Sequence, residues 1–336
     1  MASIKEIADE VGVSIATVSV VLSGKADKFR IAEGTRAKIR DAAERVQYCP
    51  NLTARGLRTG RTYVLGLLFN SPLELIYAEL LSHFHVQMHE HGYAGICAFW
   101  KTLSDAPDAF RSVLDRGVDG LITSHDDLTL IPNDVPAVLL FQRDGFHDSV
   151  NRDSGSAMRL AVHHLLDLGH RRLGVLNLAR LTYEPLLRNA LDQRGLQLEV
   201  RWISDSDSDY LEGTRRCMAR IMALPPETRP TALICRNDTA AMVTISEAGR
   251  RGIHVPHDLS VIGFDAVRMG EIANPPLTTV GVTPAELARQ SVELMIRRLE
   301  TPDADCHEVV LAPELIERTS CGPPSEGTVS GTRNRN

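Results

Sequence analysis

From Tyr63 onward the chain alternates short apolar runs with amphipathic segments, and this alternation restricts the fold more than any other feature. The apolar runs are VLGLLF, GICAFW, DGLITS and AVLLF, followed by RLGVLNL, VRWIS, ALICR, LSVIGF and LTTVGV. Helical spacing fills the intervals near 73–91, 105–116, 155–168, 184–195, 211–223, 238–251 and 284–300. Such a pattern is typical of parallel strands that are buried on both faces. It predicts two doubly wound α/β lobes, with a ligand cleft at the carboxyl ends of their strands.

The first 48 residues instead have the spacing of short helices. Ser3 and Glu6 form a capping-box pattern before a first helix, which Gly12 is expected to end. Ser14 is a suitable N-cap for a second helix that runs to about Leu22, and a third helix is indicated near 36–48. A tight turn between the first two helices is the layout of a helix-turn-helix, whose second helix faces the base edges of DNA.

Charge is divided unevenly along the chain. The net charge is −6 overall, but residues 1–60 carry +3 and residues 61–336 carry −9. A basic head can bind phosphates, and Lys5, Arg36 and Arg55 are candidates for nonspecific contacts with DNA. The sequence has neither an apolar stretch of the roughly 20 residues that a membrane helix needs nor a signal-peptide pattern, so we expect a cytoplasmic, nucleoid-associated protein.

A specific motif lies in the head. The form V-S-x-x-T-V-S-x-V-L-N-G is matched by Val13, Ser14, Thr17, Val18, Ser19, Val21, Leu22 and Gly24, with Ser23 in place of Asn. A later Y-x-P-N is matched by Tyr48, Pro50 and Asn51. On these residues the chain resembles the lactose-repressor family of bacterial transcription regulators, and the resemblance extends through the body to about residue 320.

The resemblance implies how the head reads DNA. Ser14, Thr17 and Ser19 are expected to bond phosphates or cap the recognition helix. The base-reading positions are occupied by Ile15, Ala16 and Val20, whose apolar side chains can only contact thymine methyls or exclude other groups. Direct readout is therefore expected to be weak, with more specificity from DNA shape. The family's Ser cap before the third helix is Ala32 here, so Thr35 is predicted to cap that helix at a later start.

Residues 49–61 correspond to the family's hinge helix, which folds on operator DNA. Asn51, Ala54 and Leu57 match it, and Leu57 would be the wedge that opens a central base step in the minor groove. Gly56 weakens such a helix by up to about 1 kcal/mol, as suits a segment that orders only on binding. A plain flexible linker is the alternative.

The body, residues 62–320, resembles periplasmic sugar-binding proteins. A polyol needs carboxylate acceptors and planar donors, and the resemblance places such groups at strand ends and loops. The candidate effector-binding residues are Asn70, Ser71, Arg143, Asp153, Arg188, Asn237 and Asp265. A structural role, such as capping the next helix, is the alternative for each of them, and it is the role expected of Asp238.

Other clusters indicate no further chemistry. His83, His85, His89 and His91 lack a third ligand at metal-binding spacing, and the acidic run 204–209 lacks the glycine and glutamate of a calcium loop. No metal, cofactor or enzyme signature is predicted. Residues 321–336 are expected to be a disordered tail without a leucine heptad, so a homodimer rather than a tetramer is predicted.

These observations together predict a transcription regulator, most simply a repressor, that binds double-stranded operator DNA as a homodimer. A small polar effector, a sugar or a derivative of one, would bind between the two lobes. Two other classes of protein remain open at this point. One is a solute-binding protein without a DNA role, and the other is an enzyme that acts on a carbohydrate.

Overall fold

The structure is a computed structural model. It describes residues 3–22, 26–27, 29–48, 60–70, 74–100, 102–204 and 210–325. The chain divides into two compact units, Met1–Thr62 and Tyr63–Asn336, and each is described by itself below as the head and the body.

The head contains three helices, α1 (Ile4–Val11), α2 (Ile15–Leu22) and α3 (Glu33–Arg45). The predicted capping box is present at α1, and Gly12 ends this helix in the left-handed conformation with φ of 73°. The three helices bury a small apolar core, which comprises Ile7, Ala8, Val18, Val21, Ala26, Ile39, Ala42 and Ala43. The three-helix head predicted from the sequence is confirmed.

The start of α3 differs from the prediction. The helix begins at Glu33, directly after Ala32, and no side chain caps it. Thr35 instead lies within the first turn, where its amide nitrogen donates to the carbonyl of Ala32. The acidic side chain of Glu33 in the first turn favours this start, because it complements the positive end of the helix dipole.

The body alternates strands and helices as expected. Its first elements are β1 (Val64–Phe69), α4 (Leu75–Glu90), β2 (Ala94–Phe99), α5 (Ala106–Leu114), β3 (Gly120–Thr123), β4 (Ala137–Leu140) and β5 (Asp148–Arg152). The next are α6 (Ser154–Asp167), β6 (Leu173–Leu176), α7 (Arg180–Asp192), β7 (Arg201–Ile203), α8 (Tyr210–Met222), β8 (Ala232–Cys235), α9 (Asp238–Arg250) and β9 (Ser260–Phe264). The last are β10 (Thr278–Gly281), α10 (Pro284–Glu300), β11 (Glu308–Leu311) and β12 (Glu314–Ile316).

These elements form two lobes, each built on one sheet. The sheet of lobe 1 has the strand order β11-β5-β4-β3-β1-β2, and that of lobe 2 the order β12-β10-β9-β8-β6-β7. All described strand pairs are parallel except β10 with β12. The chain passes from lobe 1 to lobe 2 between β5 and α6, returns between β10 and α10, and crosses again between β11 and β12. This arrangement confirms the two-lobed α/β body.

Three strands were not apparent in the sequence. β5 reads DSVNR, β11 reads EVVL and β12 reads ELI, and none is a continuous apolar run. β11 and β12 lie at sheet edges, where one side of the strand faces solvent and charged residues are tolerated. β5 is internal, but its last two residues approach the crossing between the lobes and are only half-buried.

The segment after β12 packs against lobe 2, although its composition indicated disorder from residue 321. The imidazole of His170 is buried, and its Nε2 donates to the carbonyl of Gly322 at 2.9 Å while Nδ1 accepts from the Thr231 hydroxyl at 2.8 Å. Burial lowers the pKa of His170 to about 4, so the ring is neutral in the fold. Residues 326–336 of the predicted tail lie outside the described residues.

Candidate nucleic-acid interface and ligand cleft

Helix α2 presents a short exposed surface at its N-terminus. Ser14, Ile15 and Ala16 are exposed, with Ile15 at 47% of its full accessibility, whereas Val18 and Val21 are buried in the head core. Thr17, Ser19 and Val20, the remaining predicted contacts of this helix, are half-buried. The residues that the sequence assigned to base reading therefore include the two most exposed apolar side chains of this helix.

Two predicted DNA contacts hold the start of α2. The Ser14 hydroxyl accepts from the amide nitrogen of Thr17 at 3.1 Å, and the two hydroxyl oxygens are 2.9 Å apart. This is the geometry of an N-cap, which stabilises a helix by about 1 kcal/mol. The capping role that was predicted for Ser14 is present in the structure, and Thr17 completes it.

Arg36 is engaged within the head rather than presented to solvent. Its Nε donates to the carbonyl of Ile31 at 2.6 Å, and Nη1 donates to Asp27 at 2.5 Å. Only 15% of its side chain is exposed. Arg36 therefore stabilises the turn before α3, and its guanidinium is not presented for the phosphate contact that was expected. The hinge candidates Asn51, Ala54 and Leu57, together with Arg55 and Ser71, lie outside the described residues.

The body contains a cavity of about 730 Å³ between its lobes, at the carboxyl ends of the strands. Three predicted effector residues line it, namely Asn70 at the end of β1, Asn237 after β8 and Asp265 after β9. They meet there because the carboxyl ends of parallel strands share one edge of a sheet. The rest of the polar wall comprises Glu74, Tyr77, Ser124, Asp126, Gln142, Arg152, Asn177, Arg180, Tyr183, Ser204 and Arg236.

Three predicted effector residues do not line this cleft. Arg188 lies on α7 and pairs with Glu184 at 2.7 Å, with 62% of its side chain exposed. Arg143 pairs with Glu308 of the edge strand β11 at 3.2 Å. Asp153 accepts from the amide nitrogen of Ser156 and caps α6, which was the structural alternative to effector binding.

Five charged cleft residues were not proposed from the sequence, namely Glu74, Asp126, Arg152, Arg180 and Arg236. Arg152 is the last residue of β5, a strand that the hydrophobic pattern does not show. Arg236 directly follows β8, and Glu74 precedes α4. The position of Arg236 at the end of the run ALICR is a signal that could have identified it.

Arg152 and Asp265 form an ion pair across the base of the cleft. Nη1 of Arg152 donates to Oδ1 of Asp265 at 2.7 Å, and its guanidinium lies over the ring of Phe141, 4.4 Å from the centroid. The amide nitrogen of Asp238 also donates to the Asp265 carboxylate. Only 5% of the Asp265 side chain is exposed, and burial raises its pKa even though Arg152 opposes the shift.

Asn237, and not Asp238 as expected, caps the helix that follows β8. The side chain of Asn237 accepts from the amide nitrogen of Ala240 and is the N-cap of α9. Asp238 accepts from the Thr279 hydroxyl at 2.5 Å and from the amide nitrogen of Val267 at 3.0 Å. Burial, reinforced by the neighbouring Asp265, raises the pKa of Asp238 to about 7. Asp238 therefore has a structural role, but it stabilises the loop after β9 through these hydrogen bonds instead of capping α9.

Two clusters remain, the histidines of α4 and the acidic run 204–209. Within the ranges that the structure describes, no three His, Cys, Asp or Glu side chains are placed to hold a metal ion. The rings of His85 and His89 stack with centroids 6.4 Å apart on an exposed part of α4. Most of the acidic run, residues 205–209, lies outside the described part. No helix among the described residues is long and apolar enough to cross a membrane.

Comparisons with known proteins agree with this division of the chain. Residues 3–51 match the model for bacterial regulatory proteins of the lacI family, and residues 162–321 match that for a periplasmic binding protein-like domain. The HTH-type transcriptional repressor PurR of Pasteurella multocida is 28% identical, over 95% of this chain and 98% of its own.

Solved structures show the same fold. A lac repressor dimer bound to operator and the anti-inducer ONPF superposes with a TM-score of 0.74 and 21% identity, over 95% of this chain and 98% of its own. A complex of the transcriptional regulator CelR with cellobiose superposes with a TM-score of 0.67 and 21% identity, over 95% of this chain and 100% of its own.

Proposed function

We propose that a small polar effector, bound between the lobes, controls the operator binding of this chain. The chain belongs to the lacI family of bacterial regulatory proteins and is a DNA-binding transcriptional repressor. The observation that carries the proposal is the cleft itself. It is lined by convergent polar groups from both lobes, in the part of the body where doubly wound sheets bind ligands.

A sugar or sugar derivative is the effector class that we propose. The cavity of about 730 Å³ has the size of a small-molecule site, and its wall combines amides, hydroxyls and charged groups. The CelR structure holds cellobiose in a protein of the same fold. Its likeness to this chain supports a carbohydrate as the first class to test.

We propose a homodimer as the DNA-binding form. A dimer presents two recognition helices to half-sites one helical turn apart, so the operator should be a near-palindrome. Ile15, Ala16 and Val20 would face the bases, while Ser14, Thr17 and Ser19 would lie near the backbone. Asn51, Ala54 and Leu57 would form the hinge helix that enters the minor groove between the half-sites.

Control by the effector follows from linkage between two sites. An effector that binds one arrangement of the lobes more tightly shifts the body toward that arrangement. If this arrangement spaces the two heads unsuitably for the half-sites, operator affinity falls by the same free energy. An effector that favours the matching arrangement instead strengthens repression.

The test is a selection of duplexes from a randomised library by the full chain, followed by binding titrations at fixed salt. Wild type should bind the selected duplex at least about 1000-fold more tightly than a scrambled one. Ile15→Glu should lose this preference, because a carboxylate would face the DNA, while Val86→Glu, at another exposed apolar position, should retain it. Equal affinity of wild type for both duplexes would contradict the proposal.

A further inference from the structure

Apart from the Arg152–Asp265 pair, the charged side chains that line the cleft are separated by lobe. The Asp265 carboxylate, the predicted acceptor for a polyol, already receives Arg152 and the amide nitrogen of Asp238. The face of Phe141, a surface on which a sugar ring could stack, is covered by the same guanidinium. A neutral sugar would therefore have to displace an ion pair in order to use these two groups.

Lobe 1 presents acceptors to the cleft. Asn70 Oδ1 is buried and has no hydrogen-bond partner among the described residues. Glu74 precedes α4, and only 14% of its side chain is exposed. Burial raises the pKa of Glu74 because water no longer stabilises the carboxylate. Exposed Asp126 adds a further carboxylate to the same wall. A protonated amine would supply the donors and the positive charge that this wall lacks.

Lobe 2 presents guanidinium groups to the same cleft. Arg236 follows β8 and keeps 47% of its side chain exposed, and its Nη2 lies 4.0 Å from Glu74 Oε1 across the cleft. Arg180, at the start of α7, pairs with Glu184 and keeps 62% of its side chain exposed. Planar guanidinium groups bind carboxylates and phosphates through paired hydrogen bonds.

We propose that the cleft is built for a zwitterion, a small hydroxylated molecule whose protonated amine faces Asn70, Glu74 and Asp126 while its carboxylate or phosphate faces Arg180 and Arg236. This inference rests on the proposed function and narrows its ligand class. Amino sugar phosphates and hydroxylated amino acids both carry this chemistry. Such a ligand would take the place of the long Glu74–Arg236 contact and connect the two lobes through two short ionic ones.

The test measures binding to the full chain by calorimetry, with two matched sets of probes. One set is glucose, glucosamine, glucose 6-phosphate and glucosamine 6-phosphate, and the other is threonine, threoninamide and 2,3-dihydroxybutanoate. Within the set that binds, the zwitterion should bind about tenfold or more tightly than either analogue that carries charge of only one sign. The set that responds identifies the source of the ligand, and uncharged hypoxanthine is a control for a neutral heterocycle.

Two charge-removing variants assign each end of the ligand. Glu74→Gln should weaken the zwitterion about tenfold or more and leave the anionic analogue unchanged, whereas Arg236→Gln should weaken the zwitterion and leave the cationic analogue unchanged. Glu300→Gln and Arg111→Gln, at exposed positions on α10 and α5, are matched controls that should change nothing.

Several outcomes would overturn the inference. The first is that glucose or hypoxanthine binds more tightly than every zwitterion. The second is that neither Glu74→Gln nor Arg236→Gln changes the affinity for the zwitterion, and the third is that no probe binds. Operator affinity is titrated in parallel with and without each probe. A neutral probe that binds and changes operator affinity would contradict the ligand class while leaving the proposed function intact, whereas a chain without specific operator binding would contradict the proposed function.

Discussion

The guanidinium of Arg152 and the carboxylate of Asp265 join the two lobes of the body at the base of the cleft, with Nη1 and Oδ1 2.7 Å apart. Arg152 ends β5 of lobe 1, and Asp265 follows β9 of lobe 2. Glu79 adds a second polar link between the lobes, because its carboxylate accepts from the amide nitrogen of Arg268 at 2.9 Å. A ligand that enters the cleft therefore meets lobes that already share polar contacts.

Removal of one partner of the ion pair should destabilise the body. Asp265→Ala leaves the guanidinium of Arg152 without its carboxylate, with 25% of that side chain exposed, and should lower the free energy of unfolding by about 2 kcal/mol. The double variant Arg152→Met/Asp265→Ala should recover much of this loss, because no unpaired charge remains. Urea unfolding of the wild type, Asp265→Ala, Arg152→Met and the double variant measures the coupling, and simple additivity of the two changes would contradict the pairing.

Two buried groups should give stability opposite dependences on pH. The pKa of His170 is lowered to about 4, so the unfolded chain binds the extra proton below pH 6.5 and His170 makes stability rise with pH between about 4 and 6.5. The pKa of Asp238 is raised to about 7, so the folded chain holds the extra proton and Asp238 makes stability fall as pH rises from about 4 to 7.

Variants at these two positions separate the opposing effects. Asp238→Asn can keep a hydrogen bond to the Val267 amide nitrogen, and its stability should rise with pH more steeply than that of wild type. His170→Gln should show the opposite change in slope. Urea unfolding at intervals from pH 4.5 to 7 measures both, and each slope should change by up to about 1.4 kcal/mol per pH unit. Unchanged slopes would show that these groups titrate normally.

Arg36 and Lys5 should differ in how they affect binding to DNA. Lys5 is exposed on α1, and Lys5→Ala should reduce the slope of log affinity against log salt by about 1 if it contacts a phosphate. Arg36→Ala should leave that slope unchanged, because its guanidinium is bound to Asp27 and the Ile31 carbonyl. It should instead lower the melting temperature of the head, followed by circular dichroism. A reduced salt slope in Arg36→Ala would contradict this assignment.

The apolar surface of α2 predicts weak discrimination at the outer positions of each half-site. Val20→Arg should add a preference for guanine at one position by roughly 1 to 3 kcal/mol. Leu57→Ala should reduce specific binding by on the order of 2 kcal/mol or more while nonspecific binding changes little, if Leu57 is the minor-groove wedge. Titrations against operators varied at the centre and at each outer base pair measure both effects. Strong outer selectivity in wild type would contradict this account of readout.

The hydrophobic pattern predicted most of the fold, because buried parallel strands leave continuous apolar runs such as Val64–Phe69 and Ala232–Cys235. It could not show β5, since this strand ends in the half-buried residues Asn151 and Arg152. The capping motif at Ser3 was equally readable, because it depends only on neighbours in the sequence.

The cleft was only partly predictable. Asn70, Asn237 and Asp265 follow strands that the pattern identifies, so their convergence could be expected. Arg188 pairs with Glu184, four residues earlier on the same helix, and this i,i+4 spacing was a signal for a helix-surface ion pair in place of effector binding. The ion pair of Arg152 with Asp265 joins residues 113 positions apart, and only the crossing of the chain between the lobes brings them together.

The most direct test of control by the cleft measures linkage in both directions. Operator affinity is determined with and without the probe that binds most tightly, and the affinity for that probe is determined with and without operator. We predict that both affinities change by the same factor, about fivefold or more, and that Glu74→Gln weakens the probe whereas the matched control Glu300→Gln does not. A probe that occupies the cleft while both affinities stay constant would contradict the account.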